Sequence, residues 1–241
     1  MSLFLILAFL FFIGANLGWV LELFFRRFIS KANPERKWIN PGFCTGPYVP
    51  LYGFGLCILF LMASLEQNVS SVTLWWNKAI LFALAAISLT VLEYIAGIGC
   101  LKLFKLRLWD YSDEWKNYKG IICPKYSVAW ALLGAIYYFL IHPHIHVALN
   151  WLSENLAFSF VIGLFFGVFI IDVVNSARLV SKLKEFANDN DVVVRYEMIK
   201  AHIKNFNDKV HKKASFFRPF HSDHPLYEHL KEMLDNRKMW K

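Results

Sequence analysis

The feature that most constrains this chain is a series of five apolar runs, each long enough or nearly so to cross a lipid bilayer. A membrane-spanning helix needs roughly 17–25 mostly apolar residues, because the hydrocarbon core is about 30 Å thick. The runs cover residues 3–25, 48–64, 79–101, 126–141 and 156–174. Backbone groups inside a bilayer must be hydrogen-bonded within the protein, which helices achieve by themselves. The sequence therefore predicts an all-α fold, a polytopic membrane helix bundle with about five transmembrane helices.

Composition and charge agree with this class and predict an orientation. Hydrophobic residues make up 57% of the 241 residues, above the roughly 45–50% typical of soluble domains. Segment 26–40 carries five basic residues and one acid, segment 101–125 six and three, and segment 176–241 fourteen and nine. Loops 65–78 and 142–155 together carry one lysine and two glutamates. Because basic residues collect on the cytoplasmic side, the N-terminus is predicted outside and the C-terminus in the cytoplasm.

Two domains are predicted, a transmembrane domain over residues 1–175 and a basic amphipathic cytoplasmic tail over residues 176–241. Apolar tail residues recur at helical spacing, with lysine and glutamate between them. They are Val192, Val193, Tyr196, Ile199, Ile203, Phe206 and Val210. A last short helix is predicted over about 226–239. The tail is interpreted as a helix that packs on the membrane domain or on anionic lipid, with a partner-docking helix as the alternative.

A short pattern occurs twice and indicates two related membrane hairpins. The tripeptide Val-Leu-Glu lies in one apolar run at Glu22 and in another at Glu93, and each is followed by a basic stretch. A glycine and a cysteine then precede the next apolar run, as Gly42 and Cys44 in the first copy and as Gly120 and Cys123 in the second. Hairpins 3–64 and 79–141 are interpreted either as a parallel repeat about an axis along the membrane normal or as chance similarity between apolar helices.

Polar residues within and between the runs form a candidate polar membrane site. Three carboxylates lie in the first, third and fifth runs: Glu22, Glu93 and Asp172. A charge at mid-bilayer costs at least ~2.5–3.5 kcal/mol on insertion scales, so these acids are predicted to face the bundle interior. Arg26 follows Glu22 by four residues, the spacing of a helical ion pair. Together with Asn40 and Asp110, the acids are interpreted either as structural pairs that hold helix register or as a pathway for a cation, a proton or a polar headgroup.

Small residues accompany two of the acids. Gly14-x-x-x-Gly18 precedes the first acid, and Gly163-x-x-x-Gly167 precedes the last. Small residues at this spacing let membrane helices approach closely. Both acids are therefore predicted to lie on or beside helix-packing faces rather than faces in contact with lipid.

Two segments between the runs are predicted to depart from a plain helix. Residues 40–55 contain three prolines and four glycines, which predicts either a tight turn before a softened helix or a re-entrant segment. The run Trp109-Asp110-Tyr111-Ser112 is typical of an interfacial aromatic belt. Its aspartate and serine are predicted to cap a short interfacial helix, because both residue types are good N-caps.

These motifs resemble a known family of membrane proteins. The matching pieces are Leu17-Gly18-Trp19-Val20-Leu21-Glu22, Asn40-Pro41-Gly42-Phe43-x-x-Gly46-Pro47-Tyr48-x-Pro50-x-Tyr52-Gly53-Phe54-Gly55, Leu92-Glu93-Tyr94, Trp109-Asp110-Tyr111-Ser112, Asn117-x-x-Gly120-x-Ile122-Cys123 and Trp130. In this order, over about residues 1–175, they resemble the bacterial family named Putative ABC-transporter type IV. The resemblance implies a permease-like role beside a separate ATPase, and it supplies no catalytic residues.

The expected function is that of a transport-associated membrane subunit. The chain lacks the Gly-x-x-x-x-Gly-Lys-[Ser/Thr] phosphate loop, so ATP is expected to bind elsewhere. Two alternatives stay open, a non-transporting scaffold or regulator whose tail recruits a partner, and a lipid-modifying enzyme that uses Glu22, Glu93 and Asp110. No cofactor, metal ion or nucleic acid is expected. Expected partners are membrane lipid, an ATPase subunit and further copies of the chain, in the bacterial cytoplasmic (inner) membrane.

The charge distribution predicts the side on which each segment lies. A reporter that is active only in the cytoplasm is expected to work when it is fused after Lys241 and to be silent when it is inserted near Asn150, because positive segments stay inside. An active reporter near Asn150 would contradict the five-span topology.

Overall fold

The computed structural model describes residues 2–69, 75–209, 216–217, 219–220, 222 and 224–235. Within these ranges the chain forms eight α-helices: α1 Leu3–Phe28, α2 Pro50–Val69, α3 Trp75–Phe104, α4 Pro124–Ile136, α5 His142–Glu154, α6 Phe158–Asp189, α7 Tyr196–Lys209 and α8 Leu226–Asp235. A π-helical turn, Tyr137–Ile141, joins α4 to α5. Two-residue strands, β1 Leu106–Arg107 and β2 Val194–Arg195, pair in parallel. The predicted all-α fold is confirmed.

Long apolar helices account for the predicted membrane spans. Among the described residues, four helical stretches can cross a membrane by length and composition: Leu3–Phe28, Ala79–Phe104, Pro124–Ile145 and Phe158–Asp189. The second predicted run coincides with a shorter apolar helix, Pro50–Leu65. The third of the long stretches runs without a break from α4 through the π-helical turn into α5. The fold is that of a helical membrane bundle.

The helices contribute to two compact units. Unit 1 comprises Met1–Asn16, Pro50–Ala96 and Tyr111–Val168, and unit 2 comprises Leu17–Val49, Gly97–Asp110 and Phe169–Lys241. Helices α1, α3 and α6 each supply residues to both units. The boundary predicted after residue 175 falls inside α6, which continues to Asp189. The division into a membrane domain and a tail stays a prediction.

Unit 1 is built around a close approach of α1 and α2. A Cβ atom placed on Gly14 would lie 2.9 Å from the carbonyl oxygen of Tyr52 and 2.9 Å from Leu56 Cβ. A Cβ atom on Gly53 would lie 2.8 Å from the Phe11 ring. The two helices therefore touch backbone to backbone, and the packing role predicted for the first small-residue motif is confirmed at Gly14.

The second small-residue motif, Gly163 and Gly167 on α6, does not lie against another helix of the described residues. No atom of the described residues outside the local helix lies within 4 Å of a Cβ atom placed on Gly163 or on Gly167. The predicted close helix contact at this pair is wrong. Spacing alone places the two glycines on one face of α6, but it does not supply a neighbouring helix for that face.

Unit 2 has its own apolar core, and the tail helices form part of it. Ile199 and Ile203 of α7 are fully buried together with Val180 and Leu183 of α6. Buried residues of α8 complete the cluster, Leu230 and Met233. The apolar stripe that predicted a helix in the tail is confirmed as the face on which α7 packs.

Helix α7 begins later than the periodic pattern indicated. Its first residue is Tyr196, because the preceding strand β2 pairs with β1. The amide of Val194 donates to the carbonyl of Lys105 at 2.9 Å, so this part of the chain is extended. Helix α8 is present from Leu226, whereas the predicted positions 210 and 236–239 lie outside the described residues.

Several features recur in the two predicted hairpins. Gly42 and Gly120 both have left-handed backbones, with φ of +79° and +67°, a conformation that glycine adopts without a steric penalty. Cys44 and Cys123 are both buried. The helix that follows begins at a proline in each case, as α2 and as α4. These similarities agree with a duplicated hairpin, which stays a prediction.

The helix contact in unit 1 is open to a direct test. Gly14→Ala is expected to lower the free energy of unfolding by about 1–3 kcal/mol, because the new methyl group meets a backbone carbonyl that cannot turn away. Thermal or denaturant unfolding in detergent measures the change.

The matched control is Gly163→Ala, at a helical glycine with open space. It is expected to leave stability unchanged or to raise it by up to ~1 kcal/mol, the difference in helix propensity. Equal effects of the two substitutions would contradict the close contact.

Candidate functional site

The non-helical segment 40–48 is the centre of the polar structure in unit 2. Pro41 and Pro47 have no amide hydrogen, and the positive φ of Gly42 bends the chain between them. At Gly46 a side chain would run into the Tyr48 ring, because a Cβ atom there would overlap the ring carbons. The segment therefore cannot continue a helix, and α2 begins two residues later at Pro50.

Asp172 of α6 holds one end of this segment. Its Oδ2 accepts hydrogen bonds from the amides of Thr45 and Gly46 at 3.0 and 2.8 Å and from the Tyr48 hydroxyl at 2.5 Å. Its Oδ1 accepts from the Thr45 hydroxyl at 2.6 Å and from the Ser176 hydroxyl at 3.4 Å. Both oxygens of a carboxylate that is only 7% exposed are thus surrounded by donors, which is how a buried anion is stabilised.

Asn40 organises the middle of the segment. It is fully buried, and its Oδ1 accepts from the indole nitrogen of Trp19 on α1 at 2.7 Å. Its Nδ2 donates to the carbonyl of Thr45 at 2.6 Å. The side chain therefore ties α1 to the loop and closes the loop on itself.

Lys200 of α7 holds the other end. Its ammonium is buried and donates to the carbonyl oxygens of Asn40 at 3.0 Å and Gly42 at 2.6 Å. The third donor meets Glu197 Oε1 at 3.2 Å, and the nitrogen lies 4.7 Å from the centre of the Tyr196 ring. Burial lowers the pKa of Lys200, and the adjacent Glu197 opposes that shift. All three N–H groups have partners, as a buried ammonium requires.

A chain of alternating charges leads from α7 to α1. Glu197 Oε2 lies 2.5 Å from a guanidinium nitrogen of Arg26. The same guanidinium lies 3.0 Å from Glu22 Oε1, at the i, i+4 spacing that the sequence predicted. We call Glu22, Arg26, Glu197 and Lys200 the ionic chain. It contains two cations and two anions, so the buried charges balance.

The structure places the predicted polar residues in three surroundings. Glu22, Asn40 and Asp172 belong to one connected network in unit 2. Asp110, also in unit 2, lies 3.2 Å from both Arg107 and Arg195. These residues belong to the paired strands β1 and β2, so this ion pair holds the strand pairing.

Glu93 is a separate case in unit 1. It is 2% exposed, and the Tyr111 hydroxyl donates to its Oε1 at 3.0 Å. A phenol hydrogen bond stabilises a buried carboxyl group without supplying a positive charge. The sequence did not predict this partner, because Tyr111 lies 18 residues away along the chain.

The predicted cap role of Asp110 and Ser112 is wrong. No helix begins between residues 105 and 123, all of which the structure describes. Asp110 instead forms ion pairs with the two arginines. The carbonyl of Ser112 accepts a hydrogen bond from the Asn117 side chain at 2.9 Å, within a compact turn. Competing ion pairs with β1 and β2 thus replace the local capping interaction.

No role in the site was predicted from the sequence for Lys200 or Glu197. A signal was present, since Lys200 lies beside Ile199 within the apolar stripe of α7. A lysine at such a position has to reach water or find buried acceptors. The acceptors are backbone carbonyls of a distant loop, which periodicity does not reveal.

The arrangement is suited to holding backbone and helices together rather than to acid–base chemistry. The donors around Asp172 occupy both of its oxygens. Burial, with Asp172 nearby, raises the pKa of the Cys44 thiol to about 12, so the thiolate nucleophile is absent near pH 7.

Comparison with known families places this network in a wider context. The model of the family described as "Putative ABC-transporter type IV" matches residues 9–177. The chain belongs to this family. No curated protein and no solved structure matches the chain. The family match includes Glu22, Asn40 and Asp172, but it ends before Glu197 and Lys200. The α7 half of the ionic chain therefore lies outside the part that the type IV family model describes.

Asp172 provides the sharpest stability test. Asp172→Asn is expected to lower the free energy of unfolding by about 2–4 kcal/mol, because the amide removes the charge and turns a donor toward N–H and O–H donors. Denaturant unfolding in detergent measures this loss.

Asp191→Asn is the matched control. The Asp191 side chain is 96% exposed and pairs only loosely with Lys105 at 3.3 Å. Its substitution is expected to change stability by less than about 0.5 kcal/mol. A similar effect at both sites would show that the donors around Asp172 do not stabilise the segment.

Proposed function

We propose that this chain is a transport-associated, permease-like membrane subunit of an ABC-type system that relies on a separate ATPase subunit. Its membership of the type IV family and its long apolar helices support a membrane role. The sequence contains no phosphate-loop motif of its own. The observation that carries the proposal is the ionic chain, which joins a tail helix, α7, to an apolar helix, α1.

The ionic chain supplies a mechanical path for such a system. A displacement of α7 acts on Arg26 through Glu197, and Arg26 is held to Glu22 on α1. The same helix acts on segment 40–48 through Lys200, which binds two of its carbonyls. That segment is in turn held by Asp172 on α6. Movement of α7 is therefore transmitted to two apolar helices at once.

The proposal includes a location and an orientation. The chain resides in the bacterial cytoplasmic membrane, with the N-terminus outside and α7 and α8 in the cytoplasm, in line with the distribution of basic residues. An ATPase is a cytoplasmic subunit, so its contact surface lies on the same side as α7. Membrane lipid and further copies of the chain are the other proposed partners.

Two observations argue against the alternative functions. In a scaffold that recruits partners through the apolar stripe of α7, that stripe has to be accessible, yet Ile199 and Ile203 are fully buried. A lipid-modifying enzyme that uses Glu22, Glu93 and Asp110 needs these acids for proton transfer, yet two of the three are held in ion pairs, Asp110 by two arginines and Glu22 by Arg26. Both observations favour a coupling role.

Co-purification tests the proposed function. The full chain is isolated from its native membrane in mild detergent, and the proteins that accompany it are identified. The expected result is an ATPase that contains its own phosphate loop and whose ATP hydrolysis depends on the chain. Isolation without any ATPase, or with an ATPase whose activity is unaffected, contradicts the proposal.

A variant at Glu93 distinguishes assembly of the complex from its ATP hydrolysis in the same experiment. Glu93→Gln keeps an oxygen for the Tyr111 hydroxyl and replaces the other carboxyl oxygen with an amide nitrogen that cannot ionise, so the complex is expected to assemble and to lose its stimulated ATP hydrolysis. Glu154→Gln, at an exposed acid on α5, is the matched control and is expected to retain it. Full activity of Glu93→Gln would contradict a functional charge at this position.

A further inference from the structure

The packing of α7 on α8 brings together three metal-binding side chains that the proposed function does not use. One nitrogen each of His202 and His229 and a carboxylate oxygen of Glu232 lie within 4.8 Å of one another. His202 belongs to α7, whereas the other two lie three residues apart on α8. Residues at this spacing project from one face of a helix, and that face is turned toward α7.

His229 carries the most informative observation. The whole His229 side chain is buried, and its Nε2 lies 3.1 Å from the Ser222 hydroxyl. Its Nδ1 is also buried and has no hydrogen-bond partner among the described residues. A buried polar atom without a hydrogen-bond partner destabilises the folded chain. In metal sites one imidazole nitrogen binds the ion while the other is held by a hydrogen bond. Ser222 holds Nε2 of His229, so Nδ1 is the nitrogen that can bind an ion.

The distance between the other two groups fits a small ion. His202 Nε2 lies 3.4 Å from Glu232 Oε2. Two ligand atoms that are each ~2.1 Å from a tetrahedral zinc ion stand ~3.4 Å apart. The pair therefore already has the separation of two ligands on one metal.

The chemistry of the ligands selects the class of metal. Two imidazoles and one carboxylate suit zinc and related first-row ions, whereas calcium and magnesium prefer sites made of oxygen alone.

We propose that His202, His229 and Glu232 bind one Zn²⁺ ion, which joins α8 to α7. The three residues lie after residue 177, outside the match to the type IV family. The proposal is independent of the transport role. It implies that α8 is held in place by a metal in addition to the apolar contacts of Leu230 and Met233.

The test uses the full chain in detergent with its affinity tag removed and Zn²⁺ as the probe. Equilibrium dialysis with metal analysis is expected to find one tightly bound Zn²⁺ per chain, and Zn²⁺ is expected to raise the melting temperature. His202→Asn and Glu232→Gln are each expected to weaken binding by at least ~10-fold, since even outer contacts of a metal site are worth 10–100-fold. Both side chains are partly exposed, so these variants are expected to fold.

Glu228→Gln is the matched control. Glu228 lies one turn earlier on α8, is similarly exposed and pairs with His224 at 3.3 Å. Its substitution is expected to leave Zn²⁺ affinity unchanged. Three results overturn the proposal: no bound Zn²⁺, binding that survives both His202→Asn and Glu232→Gln, which places the ion elsewhere on the chain, and equal weakening by Glu228→Gln, which reports general electrostatics.

Discussion

Unit 2 depends on one constraint, the need of segment 40–48 to satisfy its buried backbone without helical hydrogen bonds. Buried amides and carbonyls require partners, and non-helical backbone near a membrane has to find them within the protein. Lys200 provides donors for the carbonyls of Asn40 and Gly42, and Asp172 provides acceptors for the amides of Thr45 and Gly46. A lysine in the apolar face of α7 and an acid in the apolar helix α6 are both consequences of this one irregular segment.

Charge balance explains the remaining members of the network. A buried ammonium alone would be strongly destabilising, and a buried ion pair is stable only when its remaining hydrogen-bonding groups are satisfied. Glu197 pairs with Lys200, and Arg26 in turn pairs with Glu197 and with Glu22. Each charge therefore has an opposite neighbour, and removal of one leaves another uncompensated. Such a network behaves as a unit, which is the property that the proposed coupling role requires.

The sequence predicted the local part of this site and missed the long-range part. The pair Glu22–Arg26 follows from helical spacing, and the structure contains it. For Asp172, the sequence predicted a position in the bundle interior but no specific partner. The actual donors come from residues 45–48, more than 120 positions away. Likewise the cap predicted for Asp110 gave way to arginines on β1 and β2. Periodicity describes which residues share a face, but it contains no information about which distant loop meets that face.

The sequence by itself determined that this is a helical membrane protein, because long apolar runs have few other stable arrangements in a bilayer. It also determined that residues 40–48 leave the helical path, since Pro41 and Pro47 lack the amide hydrogen that a helix needs. Only the tertiary structure decided that the tail completes unit 2, that Lys200 binds this loop and that Asp172 serves as its anchor. The physical reason is that a buried charge has several acceptable partners, and only the packing of α6 and α7 brings one set within hydrogen-bonding distance.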